Sequence, residues 1–442
     1  MNHLLAARSQ MAMSLGFHII FAAVGIALPL LMVISEGLWL YKKDVLYREL
    51  AQRWSQGAGI FFAVGAVSGT ALSFELGLLW PRFMAYAGPI IGMPFSLEGF
   101  AFFLEAIFLG IYLYGWGKVS PWVHWMSGVM VLASGTASGI FVVAANAWMN
   151  SPAGFDIVNG VPVHIRPFAA MFNPAFLGQS LHMIIAAFEA VGFAAASLHA
   201  YSLLKNRRAF FHQRALVIAL SVAACGAFLE PLNGDFLARF VAQNQPVKLA
   251  AMEGQWETER GAPLRIGGWP DAKIEKTLWA IKIPKALSLL AYDNPNALVL
   301  GLKAFPSQDR PPVLPVHIAF QVMVACGSFL AGVALLGIVW TLRIGRLPLK
   351  KWFLVLLIAC GPLGFICIET GWIVTEVGRQ PWIIYHVMRT ADAVTPMPGL
   401  TESFSVFTLI YLFLAVVVIL LLRKEVIGED GSEPLKAAGG RP

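Results

Sequence analysis

Long apolar runs alternate with short polar segments along the chain, and this pattern predicts its architecture. Nine runs hold about 20 or more mainly apolar residues, the length that a helix needs to cross the hydrocarbon core of a bilayer. The predicted membrane helices cover residues 10–38, 56–81, 95–116, 122–149, 177–204, 213–232, 316–342, 352–377 and 404–422. The pattern therefore predicts an all-α integral membrane protein with about nine transmembrane helices.

Basic residues concentrate on one side of these predicted helices. The segments after the first, third, fifth, seventh and ninth helices are rich in Lys and Arg, as in Lys42-Lys43 and Arg207-Arg208. The short loops on the other side carry few basic residues. Lys/Arg enrichment in short loops is typical of the cytoplasmic face, so we expect the N-terminus outside and the C-terminus in the cytoplasm.

The predicted helices divide the chain into four parts. Residues 1–232 hold helices one to six, residues 233–312 form an extracytoplasmic loop, residues 313–425 hold helices seven to nine, and residues 426–442 form a cytoplasmic tail. A loop of this length is usually either functional or disordered. The helix-forming composition of Lys248–Glu257 favours an ordered loop.

Composition agrees with an integral membrane protein. Hydrophobic residues make up 58% of the chain and charged residues 13%, whereas soluble domains carry roughly a quarter charged residues. The net charge of +7 reflects the basic loops and does not indicate a nucleic-acid partner; the surroundings are membrane lipid. The cysteines form no CxxC pair and are interpreted as buried packing residues rather than a disulfide framework or zinc site. They are Cys225, Cys326, Cys360 and Cys367.

Several ionisable residues lie inside the predicted membrane helices, where charge is costly and often functional. They are His18, Glu75, Glu98, Glu105, His182, Glu369 and Glu376. With the N-terminus outside, all seven are expected in the outer half of the membrane. Glu98 and Glu105 are seven residues apart and so share a helix face, as do Glu369 and Glu376. This arrangement suits a proton relay or a cofactor site, although a single intramembrane histidine is as often an interhelical hydrogen-bonding residue.

One stretch carries a specific family signature. The segment Gly371-Trp372-Ile-Val-Thr-Glu376-Val-Gly378-Arg379-Gln380-Pro381-Trp382 resembles the GRQPW region of cytochrome bd oxidase subunit I. Further matching segments are Gly16-Phe17-His18, Ser96–Glu105, Asn146–Met149, Ser180–His182 and Lys248–Glu257. The run Ser73–Pro81 and the short outer loop are most similar to the cyanide-insensitive branch.

The resemblance implies three haems. His182 and Met323 would be the axial ligands of a low-spin haem b. His18 and Glu376 would each hold one high-spin haem, His18 the haem d (or a third b-type haem) and Glu376 the second haem b. Trp372 and Arg379 would flank this high-spin pair, with the arginine pairing with a propionate. From residue spacing alone, His317 remains an alternative to Met323.

The resemblance also implies the reaction. The outer loop would oxidise quinol, with Lys248 and Glu253 at the quinol site, although a solvated helix face explains these two residues nearly as well. Glu98, Glu105 and Ser138 would carry cytoplasmic protons to the site where O2 becomes water, so the enzyme would be an electrogenic quinol:oxygen oxidoreductase. A second subunit is expected as partner, small and with a single membrane helix.

One departure from the family pattern concerns the low-spin haem. Better-studied members carry an arginine two residues before the methionine ligand, where this chain has Gln321. Two other functions use similar residues: a proton-coupled transporter and a dihaem electron carrier without O2 chemistry. The chain shows no internal repeat, which disfavours the transporter.

Overall fold

The computed structural model describes residues 2–425 and is mainly helical. Within this range nine helical stretches are long and apolar enough to cross a membrane, which confirms the predicted number. They are α1 (His3–Lys42), α2 (Val45–Leu79), α3 (Pro81–Tyr114), α4 (Pro121–Asn150), α6 (Phe176–Lys205), α7 (Phe210–Asn244), α10 (Val313–Ile344), the broken pair α11 (Lys351–Cys360) and α12 (Leu363–Val377), and α14 (Leu400–Glu425). The predicted tail, residues 426–442, lies outside the described residues.

Short elements connect these helices at one end of the bundle. The helical ones are α5 (Pro167–Met171), α8 (Pro246–Met252), α9 (Ala286–Tyr292), α13 (Thr390–Ala393) and the 3-10 turns Leu302–Ala304 and Ser307–Asp309. The strands are β1 (Asp156–Val158), β2 (Val161–Val163), β3 (Glu259–Arg260), β4 (Leu264–Ile266), β5 (Trp269–Asp271), β6 (Lys276–Leu278), β7 (Ile281–Ile283), β8 (Leu298–Val299), β9 (Trp382–Ile384) and β10 (Met388–Arg389). They pair antiparallel as β1–β2, β3–β8, β4–β7, β5–β6 and β9–β10.

Close helix packing builds the core of the bundle. Helix α1 contacts α2, α4, α6 and α14, and α6 packs along α7. A Cβ atom at Gly192 of α6 would lie 2.7 Å from the backbone nitrogen of Ala223 of α7, and one at Gly226 would lie 2.8 Å from Glu189 Cβ. Only glycine allows this approach, which is how membrane helices gain packing energy without a hydrophobic drive toward each other.

Three predicted helix boundaries are wrong by more than ten residues. Helix α2 begins at Val45, before the predicted residue 56. Helix α3 begins at Pro81, before the predicted residue 95, and α7 continues to Asn244, beyond the predicted residue 232. Helix α3 contains Pro89 and Pro94, and α7 contains Pro231. In a bilayer the backbone must satisfy its own hydrogen bonds, so the helices continue through them. The connection between α7 and α10 is therefore residues 245–312.

This connection is ordered and rests on α10. Helix α8 packs against α7 and α10, and a small apolar cluster that includes Ala250, Val316 and Val374 joins it to α10 and α12. Gln321 of α10 donates to the backbone oxygen of Arg265 and accepts from the backbone nitrogen of Gly267. The predicted ordered loop is present, and it is held to the helices at fixed points.

Candidate functional site

The side chains around Glu376 form a continuous hydrogen-bonded network that joins three elements. Asn146 Nδ2 of α4 donates to Glu376 Oε1 of α12 at 2.5 Å, and Arg379 donates to Glu376 Oε2. Asn150, one turn after Asn146, donates to the backbone oxygen of Asn146 at 3.1 Å. Lys248 Nζ of α8 donates to Asn150 Oδ1 at 2.8 Å. We call these five residues the loop network, because they connect the loop to the end of α12.

The loop network buries more positive charge than it neutralises. Lys248 is 3% exposed and Arg379 is 2% exposed, and Glu376, the carboxylate of the network, pairs with Arg379. The Nε and Nη1 atoms of Arg379 are buried with no hydrogen-bond partner among the described residues. A buried cation with unused donors is costly unless an anion satisfies it. The network is therefore suited to bind an anionic group from outside this chain.

Burial also changes the ionisation of these cations. Burial lowers the pKa of the Lys248 ammonium to about 7, and the Arg379 charge lowers it further while Glu376 opposes the shift. Burial likewise lowers the pKa of Arg379, with Glu376 opposing. Lys248 can thus change its charge near neutral pH.

Glu253, at the end of α8, is buried as well. It is 3% exposed, and its Oε2 has no hydrogen-bond partner. Burial raises the pKa of Glu253 to about 7, and Arg265 opposes the shift. The alternative explanation of Lys248 and Glu253 as a solvated helix face is wrong, because both side chains are enclosed.

His317 and Met323 lie on α10 in different surroundings. His317 is fully buried, and its Nδ1 lies 2.7 Å from the backbone oxygen of Met252 and its Nε2 3.1 Å from that of Gly267. Both ring nitrogens are thus engaged by the loop. Met323 Sδ instead faces α12, where a Cβ atom at Gly371 would lie 3.3 Å away. Met323 is the side chain of the two that has a free ligating atom.

His182 of α6 has an acidic neighbour that the sequence did not reveal. Its Nδ1 lies 2.7 Å from Glu230 Oε2 of α7, although the pair lacks the angles of a hydrogen bond. Glu230 stands near the end of the predicted sixth helix, and its extension to Asn244 places Glu230 inside the membrane span. Glu189, seven residues after His182, is a second buried carboxylate on the same helix face. The seven-residue spacing of His182 and Glu189 is the sequence signal that could have identified Glu189 as a residue of this site.

His18 of α1 is held against α2. Its Nδ1 lies 3.0 Å from Ser68 Oγ, and a Cβ atom at Gly69 would lie 2.9 Å from its Cε1. Two residues earlier on α1, a Cβ atom at Gly16 would lie 3.1 Å from Glu369 Oε2 of α12, whose Oε1 has no partner. The structure therefore brings a buried carboxylate from α12 toward the part of α1 that carries His18.

Glu98, Glu105 and Ser138 lie between α3 and α4. Ser138 Oγ donates to Glu98 Oε1 at 3.3 Å. Glu105 is 7% exposed, and Cβ atoms at Gly135 of α4 and Gly25 of α1 would lie 3.2 Å and 3.7 Å from its carboxylate. Gly25 is near the midpoint of α1. Glu105 therefore lies beside the middle of α1, and the expectation that all seven intramembrane residues lie in the outer half of the membrane stays a prediction.

The remaining predicted residues do not form a site for a metal ion within the described part of the chain. Trp372 is partly buried against the main apolar core. Within residues 2–425, no three His, Cys, Asp or Glu side chains converge as ligands of a single metal ion. The four cysteines are unpaired, and Cys225 is exposed rather than buried as predicted. His18, His182, Met323 and Glu376 each stand as single donors, which fits axial ligation of haem better than a multidentate metal site.

Comparisons with known proteins give one consistent result. The family model for cytochrome bd terminal oxidase subunit I matches residues 6–429. A Bacillus subtilis (strain 168) protein described as subunit I of a cytochrome bd menaquinol oxidase is 38% identical over 438 residues, covering 97% of this chain and 99% of its own. Subunit 1 of the cytochrome bd-II ubiquinol oxidase of Escherichia coli (strain K12) is 30% identical, covering 92% of both chains. The solved bd oxidase of Geobacillus thermodenitrificans is similar with a TM-score of 0.90 and 40% identity, covering 96% of this chain and 100% of that one.

Proposed function

Because this chain belongs to the cytochrome bd terminal oxidase subunit I family, we propose that it oxidises quinol and reduces O2 to water in a bacterial membrane. The observation that supports this most directly is the loop network. It joins a buried lysine of the ordered loop to Glu376 and Arg379 at the end of α12. A quinol-oxidising loop and an O2-reducing site need such a connection.

Four side chains would hold the haems. His182 with Met323 would ligate a low-spin haem b, and Glu376 and His18 would each ligate one high-spin haem, a second haem b and a haem d or third b-type haem. The unused donors of Arg379 beside Lys248 fit the propionate carboxylates that a haem carries. Haem iron supplies one-electron transfer when two strong ligands saturate it and O2 binding when one position stays open.

The contacts of both His317 ring nitrogens support Met323 as the second low-spin ligand. Both nitrogens of His317 lie within hydrogen-bonding distance of loop carbonyls, so ligation through either one would detach the loop from α10. Met323 needs no such change. Trp372 would lie beside the high-spin pair on α12, between Glu369 and Glu376 in sequence.

Lys248 and Glu253 would act on quinol. A carboxyl group with a pKa of about 7 can accept a proton from a quinol hydroxyl near neutral pH. The ammonium of Lys248 would stabilise the developing negative charge on the quinol oxygen. Both groups are buried, which strengthens their electrostatic effect.

Glu98, Glu105 and Ser138 would conduct protons from the cytoplasm, on the assumption that the basic loops mark that side. The N-terminus and the loop would then be outside. Release of quinol protons outside and uptake of protons from inside would make the reaction electrogenic. Relatives are named as subunit I, so a subunit II is the expected partner, and we propose a small one with a single membrane helix.

One experiment tests the proposed function. The purified enzyme should show absorption bands of low-spin and high-spin haem on reduction, and it should consume O2 when given ubiquinol or menaquinol. A protein without haem bands would be a transporter instead. Low-spin bands alone, with no O2 consumption, would indicate an electron carrier.

A further inference from the structure

A second buried acid–base pair is formed by Glu36 and His124. It lies toward the C-terminal end of α1, at the end of the bundle where the basic loops cluster. Glu36 of α1 is 0% exposed, and its Oε1 lies 2.8 Å from His124 Nδ1 of α4. The other ring nitrogen, Nε2, lies 2.9 Å from the backbone oxygen of Tyr112 of α3. Within residues 2–425, Glu36 Oε2 has no hydrogen-bond partner. The pair therefore joins three helices and retains an unused acceptor.

The pair forms part of the wall of a cavity of about 250 Å³. Its rim is formed by the exposed residues Gly117, Val119 and Pro121 of the connection between α3 and α4. Trp39, Trp116 and Arg48 form the sides, and the Arg48 guanidinium lies over both indole rings. The cavity is large enough for several waters, so it gives solvent a way to a fully buried carboxylate.

Helix geometry aligns this pair with Glu105. Gly25 and Glu36 of α1 are 11 residues apart and therefore lie on the same helix face, as do His124 and Gly135 of α4. Gly25 and Gly135 are glycines at which an added Cβ atom would lie 3.7 Å and 3.2 Å from the Glu105 carboxylate. On α3, Tyr112, Glu105 and Glu98 follow one another at seven-residue spacing, again on one face. We call this interface of α1, α3 and α4 the seam.

The seam contains groups that can carry protons along its length. The Glu36–His124 pair and Glu105 are separated by about 16 Å, from 11 residues at 1.5 Å each. The buried hydroxyls of Ser127 and Ser134 lie on α4 between these levels. Beyond Glu105, Ser138 and Glu98 continue the series.

We propose that Glu36 and His124 form the entrance of the proton path, a site that takes protons from the cavity and passes them to Glu105. Glu36 accepts a proton from water at its free Oε2, and the proton leaves along the seam while the carboxylate is restored. His124 orients Glu36 and shares its proton through the 2.8 Å contact. The groups that face Glu36 are His124, Tyr112 and Arg48. This inference rests on the proposed function, which requires proton uptake from this end.

The test uses the purified enzyme with its partner subunit in proteoliposomes and follows proton uptake from the basic-loop side during reaction of the reduced enzyme with O2. Glu36→Gln should slow uptake and turnover by about tenfold or more, with unchanged haem spectra and unchanged haem reduction by quinol. Glu36→Asp should restore much of the rate. Glu49→Gln is the control. It removes a partly exposed carboxylate near the start of α2, at the same end of the bundle as Glu36, and should leave proton uptake and turnover unchanged.

A variant at the cavity rim provides an independent test of the proposal. Val119→Trp places an indole at an exposed position, so it should block the cavity without affecting folding and should also slow uptake. Normal uptake in both Glu36→Gln and Val119→Trp would overturn the proposal. If Glu36→Gln loses its haems, normal uptake in Val119→Trp alone overturns it. Wild-type enzyme that takes no protons from this side would instead contradict the sidedness of the proposed function.

Discussion

The loop network and the seam both bury ionisable side chains, but they do so in opposite ways. In the loop network each member contacts the next by a hydrogen bond, from Lys248 through Asn150 and Asn146 to Glu376 and Arg379. In the seam the carboxylates are about 10 Å apart along α3 and have few partners. Glu105 is 7% exposed, and Gly25 and Gly135 lie beside its carboxylate.

This difference separates binding from proton transport. A connected network fixes charges in place and leaves defined donors, such as those of Arg379, for a bound anion. Spaced carboxylates that are not tied to a neighbouring cation can each take up and release a proton. We therefore expect substitutions in the loop network to weaken the binding of a haem or of quinol. Substitutions in the seam should change proton transfer only.

The largest expected effect is that of Glu376→Ala. Loss of this carboxylate would remove a proposed haem ligand and leave Arg379 buried without its partner. We expect loss of the high-spin haem b, or of both high-spin haems, with turnover reduced by on the order of 100-fold, while the low-spin haem remains reducible by quinol. Reduced-minus-oxidised spectra measure both haem types. Glu402→Ala, at an exposed position of α14, is the control, and full turnover in Glu376→Ala would show that Glu376 is not a ligand.

Met323→Leu should abolish or shift the low-spin haem signal, because leucine has no ligating atom. His317→Ala should preserve that signal, since the ring is engaged by the backbone oxygens of Met252 and Gly267. It should instead weaken quinol binding by loosening the loop. Absorption spectra of the two variants decide the assignment, and the reverse pattern would make His317 the ligand.

Some of these features could be predicted from the sequence and others could not. The nine helices follow from apolar runs, and GRQPW marked Glu376 and Arg379 because the motif is local. Asn150 was not identified, because its role depends on Lys248, 98 residues later in the chain. The start of α3 was misplaced because the apolar run begins later than the helix, which continues through Pro89 and Pro94. Glu230 was not identified as a neighbour of His182, because the two residues lie on different helices. Contacts between distant segments are not encoded in any single stretch.

Lys248→Leu and Glu253→Leu should raise the apparent KM for quinol or lower kcat, with all haems retained. The reason is location, since both residues lie on the loop and not among the proposed ligands. An artificial donor that reduces the haems directly should restore O2 consumption. If Lys248→Leu changes the high-spin spectrum instead, its main role is in the loop network through Asn150, and the quinol assignment is wrong for Lys248.

The pH dependence of quinol oxidation should reflect Glu253. Its pKa is raised to about 7, so the carboxyl is neutral below this pH and charged above it. Only the charged form can accept a quinol proton, so Glu253 should make the rate rise as pH increases through about 7, whereas loss of the Lys248 charge near the same pH should oppose this rise. Glu253→Gln should lack this rise. Stopped-flow haem reduction across pH 5.5–8.5 (a window of roughly 1.5 pH units on each side) measures it, and an unchanged profile in Glu253→Gln would assign the titration to another group.

The smallest expected effect concerns Gln321, at the position where the resemblance implies arginine in better-studied members of the family. A cation near the low-spin haem favours the reduced state, so Gln321→Arg should raise its midpoint potential, by up to about 59 mV for a tenfold change in a one-electron equilibrium. Arginine can still donate to the backbone oxygen of Arg265 but cannot accept from Gly267, so the loop loses one contact. Gln321→Met removes both contacts without adding charge and separates the two effects. A rise in Gln321→Arg that is absent in Gln321→Met would be electrostatic, whereas equal shifts in both would mean that the loop contact sets the potential.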